Sequence, residues 1–91
     1  MDKKRDRLQI LHDILRAIQE KGPKAKPTHV LYKSNLSYTI LNGHLAHLME
    51  KEFILEEEEA EGKRTYSLTD KGFKFLADYQ VVRNFVESYG L

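Results

Sequence analysis

Residues 37–76 read SYTILNGHLAHLMEKEFILEEEEAEGKRTYSLTDKGFKFL, and this stretch decides the fold. The hydroxyl of Ser37 can accept a backbone N–H two or three residues on, which starts a helix over 37–52. At 100° per residue Leu41, Leu45, Leu48 and Met49 share one side, with Tyr38 at its edge, and that side is expected to be core. The opposite arc displays Thr39, Ile40, Gly43 and His47, with Asn42 and His44 on its shoulders, and carries no acidic residue before Glu50. Phe53-Ile54-Leu55 opens a strand that runs into four glutamates, and residues 64–68 alternate with the two-residue period of its partner. Glu61-Gly62 supplies the turn, which brings a glutamate of the first strand near Arg64 and leaves Lys63 and Arg64 close to the tip. Thr69 then caps a last helix with Asp70 in its first turn, and Gly90 ends it.

Upstream, Leu8, Leu11, Ile14, Leu15 and Ile18 recur at spacings of three and four, predicting a helix over 5–21 that Gly22-Pro23 stops. Pro27 suits the first turn of a second, shorter helix carrying Val30, Leu31 and Tyr32 and ending near Ser34-Asn35. In the last helix Phe73 and Leu76 are expected to fold back on the domain. Phe75, Tyr79, Val82, Val86 and Tyr89 instead repeat at four, three, four and three, a heptad seam that Val81 and Phe85 widen. A lone helix apolar on most sides needs a cover, and the simplest is the same helix from a second copy.

Ninety-one residues hold one small domain, which buries about 60% of its unfolded surface and gains from a partner subunit. The absence of cysteine removes disulfides, zinc-thiolate sites and thiol nucleophiles. No apolar run approaches the roughly 20 residues of a membrane span, so a soluble, cytoplasmic protein is expected. The sequence shows no Gly-rich phosphate loop, nucleophile elbow or His-Glu-x-x-His motif, so no enzyme, cofactor, small-molecule or metal site is expected. Net charge is +1, but its distribution is uneven: up to Lys51 ten Lys/Arg face five Asp/Glu, and from Glu52 onward five face nine. The basic half holds the helix with the polar outer arc.

The order helix, helix, helix, two strands, helix resembles the small archaeal dimeric winged helix-turn-helix DNA-binding proteins. The motifs that carry the resemblance are Asn35-Leu36-Ser37-Tyr38, the leucines 41, 45 and 48, Phe53-Ile54, and Leu68-Thr69-Asp70-Lys71-Gly72. The resemblance implies an α+β, mostly α fold: a winged helix-turn-helix over 1–69, with a C-terminal dimerisation helix over 70–91 that pairs with its symmetry mate. Two features depart from that pattern. The coiled segment is short, and the wing strand carries an acidic run where phosphate contact favours lysine or arginine.

If the helix over 37–51 enters the major groove, chemistry assigns the roles. Asn42 would bond adenine edges, His44 and His47 guanine or phosphate, and Ser37, Tyr38 and Thr39 phosphate from the helix start. Lys26, Lys33, Lys51, Lys63 and Arg64 would release counterions. Gly43 costs about 1 kcal/mol against alanine, which calls for close approach to DNA or close packing on the second helix. The dimer seam would comprise Phe75, Tyr79, Val82, Phe85, Val86 and Tyr89. Each reading has a plainer rival: solvent-facing histidines in place of a His44–His47 metal pair, a solubilising lysine surface, and an acidic strand edge that discourages strand addition. Two functions follow: a homodimeric DNA-binding regulator, or a module for protein interaction or non-specific architectural DNA binding.

Overall fold

The computed structural model describes residues 5–91. In chain order it contains α1 (Arg7–Lys21), α2 (Pro27–Ser34), α3 (Tyr38–Glu50), β1 (Ile54–Glu58), β2 (Arg64–Leu68) and α4 (Asp70–Ser88), with a short 3-10 turn, Ala60–Gly62, between the strands. The element order matches the expected one. No helix among the described residues is long and apolar enough to cross a membrane.

α1 begins two residues later than its apolar stripe suggests, because Asp6 caps it. The Asp6 carboxylate accepts the Gln9 N–H at 2.8 Å and the Gln9 side chain accepts the Asp6 N–H at 3.0 Å, a reciprocal capping box. Arg5, expected inside the helix, lies before the cap and reaches across the fold to donate to Asp13 at 2.8 Å and to the Ser34 carbonyl at 2.7 Å. One of the open carbonyls at the end of α2 is thereby satisfied. Asn35 ends α2 in the left-handed conformation, φ 54°, and Ser37 caps α3 through the Ile40 N–H.

The strands pair antiparallel, with Ile54 opposite Leu68 and Glu58 opposite Arg64. Glu61 and Gly62 form the turn as expected, both at positive φ, 65° and 72°. A third pairing, not expected from the sequence, joins the hairpin: Ala25 exchanges two backbone hydrogen bonds with Tyr66, at 2.9 and 2.8 Å. β2 is therefore held on both edges, and the hairpin is tied to the segment that leads into α2.

The core lies between the helices and one sheet face. Ile14, Leu15, Ile18, Val30, Leu41, Leu45, Leu48 and Ile54 are buried almost completely, joined by Tyr66 and Leu76. Burying a side chain of this kind contributes about 1.5–3 kcal/mol. Leu8, the first residue of the apolar stripe of α1, is half exposed.

The start of α4 is clamped to the α3–β1 corner. The Thr69 hydroxyl donates to the Glu52 carbonyl at 2.7 Å and accepts the Gly72 N–H at 3.2 Å. Lys71 Nζ donates to the Lys51 carbonyl at 2.8 Å and lies 4.4 Å from the centre of the Phe53 ring. Any side chain at Gly72 would collide with the Phe53 carbonyl oxygen, which explains the glycine. The core stripe of α4 thus runs through Gly72, Phe75, Leu76 and Tyr79. Phe75 meets Phe53 edge-on at 5.7 Å, and Tyr79 stacks on His12 at 4.1 Å. Phe73 lies off that stripe and stays half exposed, against the expectation that it folds back. Beyond Tyr79 the helix leaves Val81, Val82, Phe85 and Tyr89 exposed, while Val86 is half-buried.

Candidate nucleic-acid interface

The outer face of α3 follows from the inner one. With Leu41, Leu45 and Leu48 fixed in the core, Tyr38, Thr39, Ile40, Asn42 and Gly43 are exposed together. A Cβ at Gly43 would meet nothing within 4 Å, so packing against α2 is not the reason for this glycine. His44 and His47 sit half-buried at the margin. Burial, then the Arg7 guanidinium, then His47 hold the His44 imidazole below its ordinary range, so it is neutral at pH 7. A neutral imidazole offers one N–H donor and one acceptor.

The cations fall into separate groups. Lys26, Lys63 and Arg64 line one gap between the hairpin tip and the start of α2, together with Lys24, which sequence reasoning did not single out. Arg64 lies 3.8 Å from Glu56, the cross-strand pairing expected of this hairpin. Lys33 is turned toward Glu20 at 3.6 Å, and Lys51 is exposed just after α3. Arg7 and Thr65 also escaped the sequence reading, since nothing in their neighbours marks them; the fold alone brings Arg7 to His44 and Thr65 to the gap.

The acidic strand does not form a cage. Glu56 faces Arg64, and Glu59 lies 3.0 Å from Lys24. No group of three or more His, Asp or Glu side chains that could hold a metal ion occurs among the described residues. Tyr66, buried beneath the hairpin, has its phenol pushed up to about 12, first by burial and then by the adjoining Glu56 carboxylate.

The model of a winged helix-turn-helix family matches residues 4–87. The chain belongs to this winged helix-turn-helix family. Within the winged helix-turn-helix, α2 and α3 form the helix-turn-helix and β1–β2 the wing. The structure is similar to that of Sso10a-2, described as a DNA-binding protein from Sulfolobus solfataricus. The TM-score is 0.76 at 24% identity, covering 94% of this chain and 90% of that one. It is also similar to MepR, a transcription regulator of the Staphylococcus aureus multidrug efflux pump MepA, with TM-score 0.78 at 14% identity over 88% of this chain and 60% of that one. By sequence, the chain is 32% identical over 79 residues to the uncharacterized protein MJ0290 of the archaeon Methanocaldococcus jannaschii. That match covers 87% of this chain and about a third, 34%, of the relative.

Proposed function

We propose that the chain is a homodimeric transcriptional regulator that reads duplex DNA with α3 in the major groove. The observation that carries this reading is the outer face of α3: Thr39, Asn42 and Gly43 stand exposed with no acidic side chain before Glu50. The second helix of a helix-turn-helix lies in the groove with its first residues at the base edges. Asn42 is suited to bidentate bonding with adenine, and His44 and His47 to guanine acceptors or phosphate. Ser37, Tyr38 and Thr39 reach phosphate at the helix start, while Lys26, Lys33, Lys51, Lys63 and Arg64 add cationic contacts. The descriptions of Sso10a-2 and MepR support a DNA ligand.

The second copy follows from α4. Val81, Val82, Phe85 and Tyr89 are each 58–69% exposed, a continuous apolar face on a helix end that no described residue covers. Phe75, Tyr79 and Val82 also line an apolar notch of about 210 Å³ with Leu8, which forms the root of the same seam. Pairing of two such helices buries Phe85, Val86 and Tyr89 at the outer end. The function requires neither a cofactor nor a catalytic group and belongs to the compartment that holds the DNA, the cytoplasm in an archaeon.

The test is His47→Glu combined with Lys51→Glu. Duplex binding should be abolished in gel-shift titrations at two salt concentrations, while the dimer survives in sedimentation. Retained binding with an unchanged salt slope refutes the placement of α3.

A further inference from the structure

We propose that Ile40 reads a thymine, through the methyl group that this base presents in the major groove. The inference rests on the DNA-binding reading and adds a residue and a base that the reading leaves open. Ile40 is 51% exposed on α3, whereas Leu41 beside it is 1% exposed. With Leu41, Leu45 and Leu48 locked in the core, the rotation of α3 is fixed and Ile40 is held outward among Thr39, Asn42 and Gly43. One exposed aliphatic residue is ordinary on a protein surface, and what singles out Ile40 is where it stands.

Ile40 is the third residue of α3, in the turn that a helix-turn-helix directs at the base edges. Its N–H donates to Ser37 Oγ at 3.3 Å, so the cap of the helix fixes this turn. A β-branched side chain has essentially one favoured rotamer in a helix, and helical side chains lean toward the N-terminus. Ile40 is therefore a stiff apolar group lying over the capped turn. One turn further on, Gly43 carries no side chain, and the position of its missing Cβ is open to 4 Å. A base edge can come alongside Ile40 there with no second side chain in its way.

The major-groove edges of the bases present hydrogen-bond donors and acceptors, with one apolar exception, the thymine methyl group. Isoleucine can bond none of the polar atoms, and set against cytosine N4 or guanine O6 it displaces water and returns nothing. Set against the thymine methyl it removes apolar surface from water on both sides. Asn42, two residues on, is suited to adenine, so the two side chains together favour A·T pairs.

The experiment selects duplexes from a random pool with the wild-type protein, then replaces each thymine of the most enriched duplex by uracil, one at a time. Uracil pairs as thymine does and lacks only the methyl group. Wild type, Ile40→Ala and Ile40→Val are titrated on every probe at one salt concentration, and the free proteins are melted. At least one replacement should weaken wild type about fourfold, the effect of one buried methyl group. Ile40→Ala should bind the thymine duplex more weakly and be indifferent to that same replacement, with Ile40→Val between the two. Ile40→Ala should melt no lower than wild type, because the side chain is exposed and alanine favours a helix. Equal affinity of wild type for thymine and uracil at every position overturns the proposal. So does a uracil loss that Ile40→Ala shows undiminished, or an Ile40→Ala protein that melts lower, which would assign the residue to the fold. A pool from which no sequence is enriched overturns it while leaving DNA binding in place. Wild type that retains no duplex at all removes the DNA-binding reading, and this inference with it.

Discussion

Gly43→Ala is expected to strengthen the free protein and weaken its complex with DNA, two effects that other roles for this glycine would not produce together. Gly43 lies in the middle of α3, and the position of an added Cβ is empty to 4 Å. Alanine there meets no clash and recovers helix propensity of about 1 kcal/mol. For a domain of this size that corresponds to a rise of roughly 4–8 °C in Tm. If the α3 backbone approaches DNA closely at this point, the same methyl group overpacks the complex, at about 1–3 kcal/mol. That is about a 5- to 150-fold rise in Kd. The assay is a thermal melt of free wild type and variant, paired with duplex titrations at one fixed salt concentration. A variant that melts higher and binds every duplex as tightly as wild type removes Gly43 from the DNA contact. One that melts lower refutes the propensity argument itself.

If the proposed α4 seam holds, Val82→Glu with Val86→Glu should yield a monomer or an unfolded chain in sedimentation equilibrium, and a folded dimer that persists would place the interface elsewhere. Tyr66 makes the protein sensitive to alkali. Its folded pKa, about 12, lies above the ordinary tyrosine value of 10.0, so the stability it contributes is whole below pH 10 and is lost as pH rises toward 12. Absorbance titration should show one of the five tyrosines ionising last, and Glu56→Gln should bring that step to lower pH. A titration in which all tyrosines ionise near pH 10 contradicts the assignment.

The helices and hairpin were legible because their signals are local: a stripe at three and four, a cap at Ser37 or Thr69, a turn at Glu61-Gly62. The capping box at Asp6 and Gln9 was equally present in the sequence, but the apolar stripe drew the expected start of α1 forward to Arg5. Ala25 had no such signal, since one residue paired between two lysines shows no alternation. The phase of α4 was misread at Phe73 because it depends on the close approach of Gly72 to Phe53, a tertiary fact. The outer face of α3 could be derived by subtraction from its core face. Charge could be counted along the chain but not placed in space: the gathering of Lys24, Lys26, Lys63 and Arg64 needs the fold.

The clamp at Thr69, Lys71 and Gly72 has a mechanical consequence. It binds the first turn of α4 to the carbonyls of Lys51 and Glu52, immediately after α3 ends, and leaves no slack between the two helices. In a two-fold pair joined through α4, the crossing angle at the seam is therefore geared to the tilt and separation of both copies of α3. A one-residue slip of the seam, about 1.5 Å along a helix, would retune the half-site spacing near 34–36 Å that the pair can span. Operator choice would then be written as much at Val82 and Val86 as at Asn42.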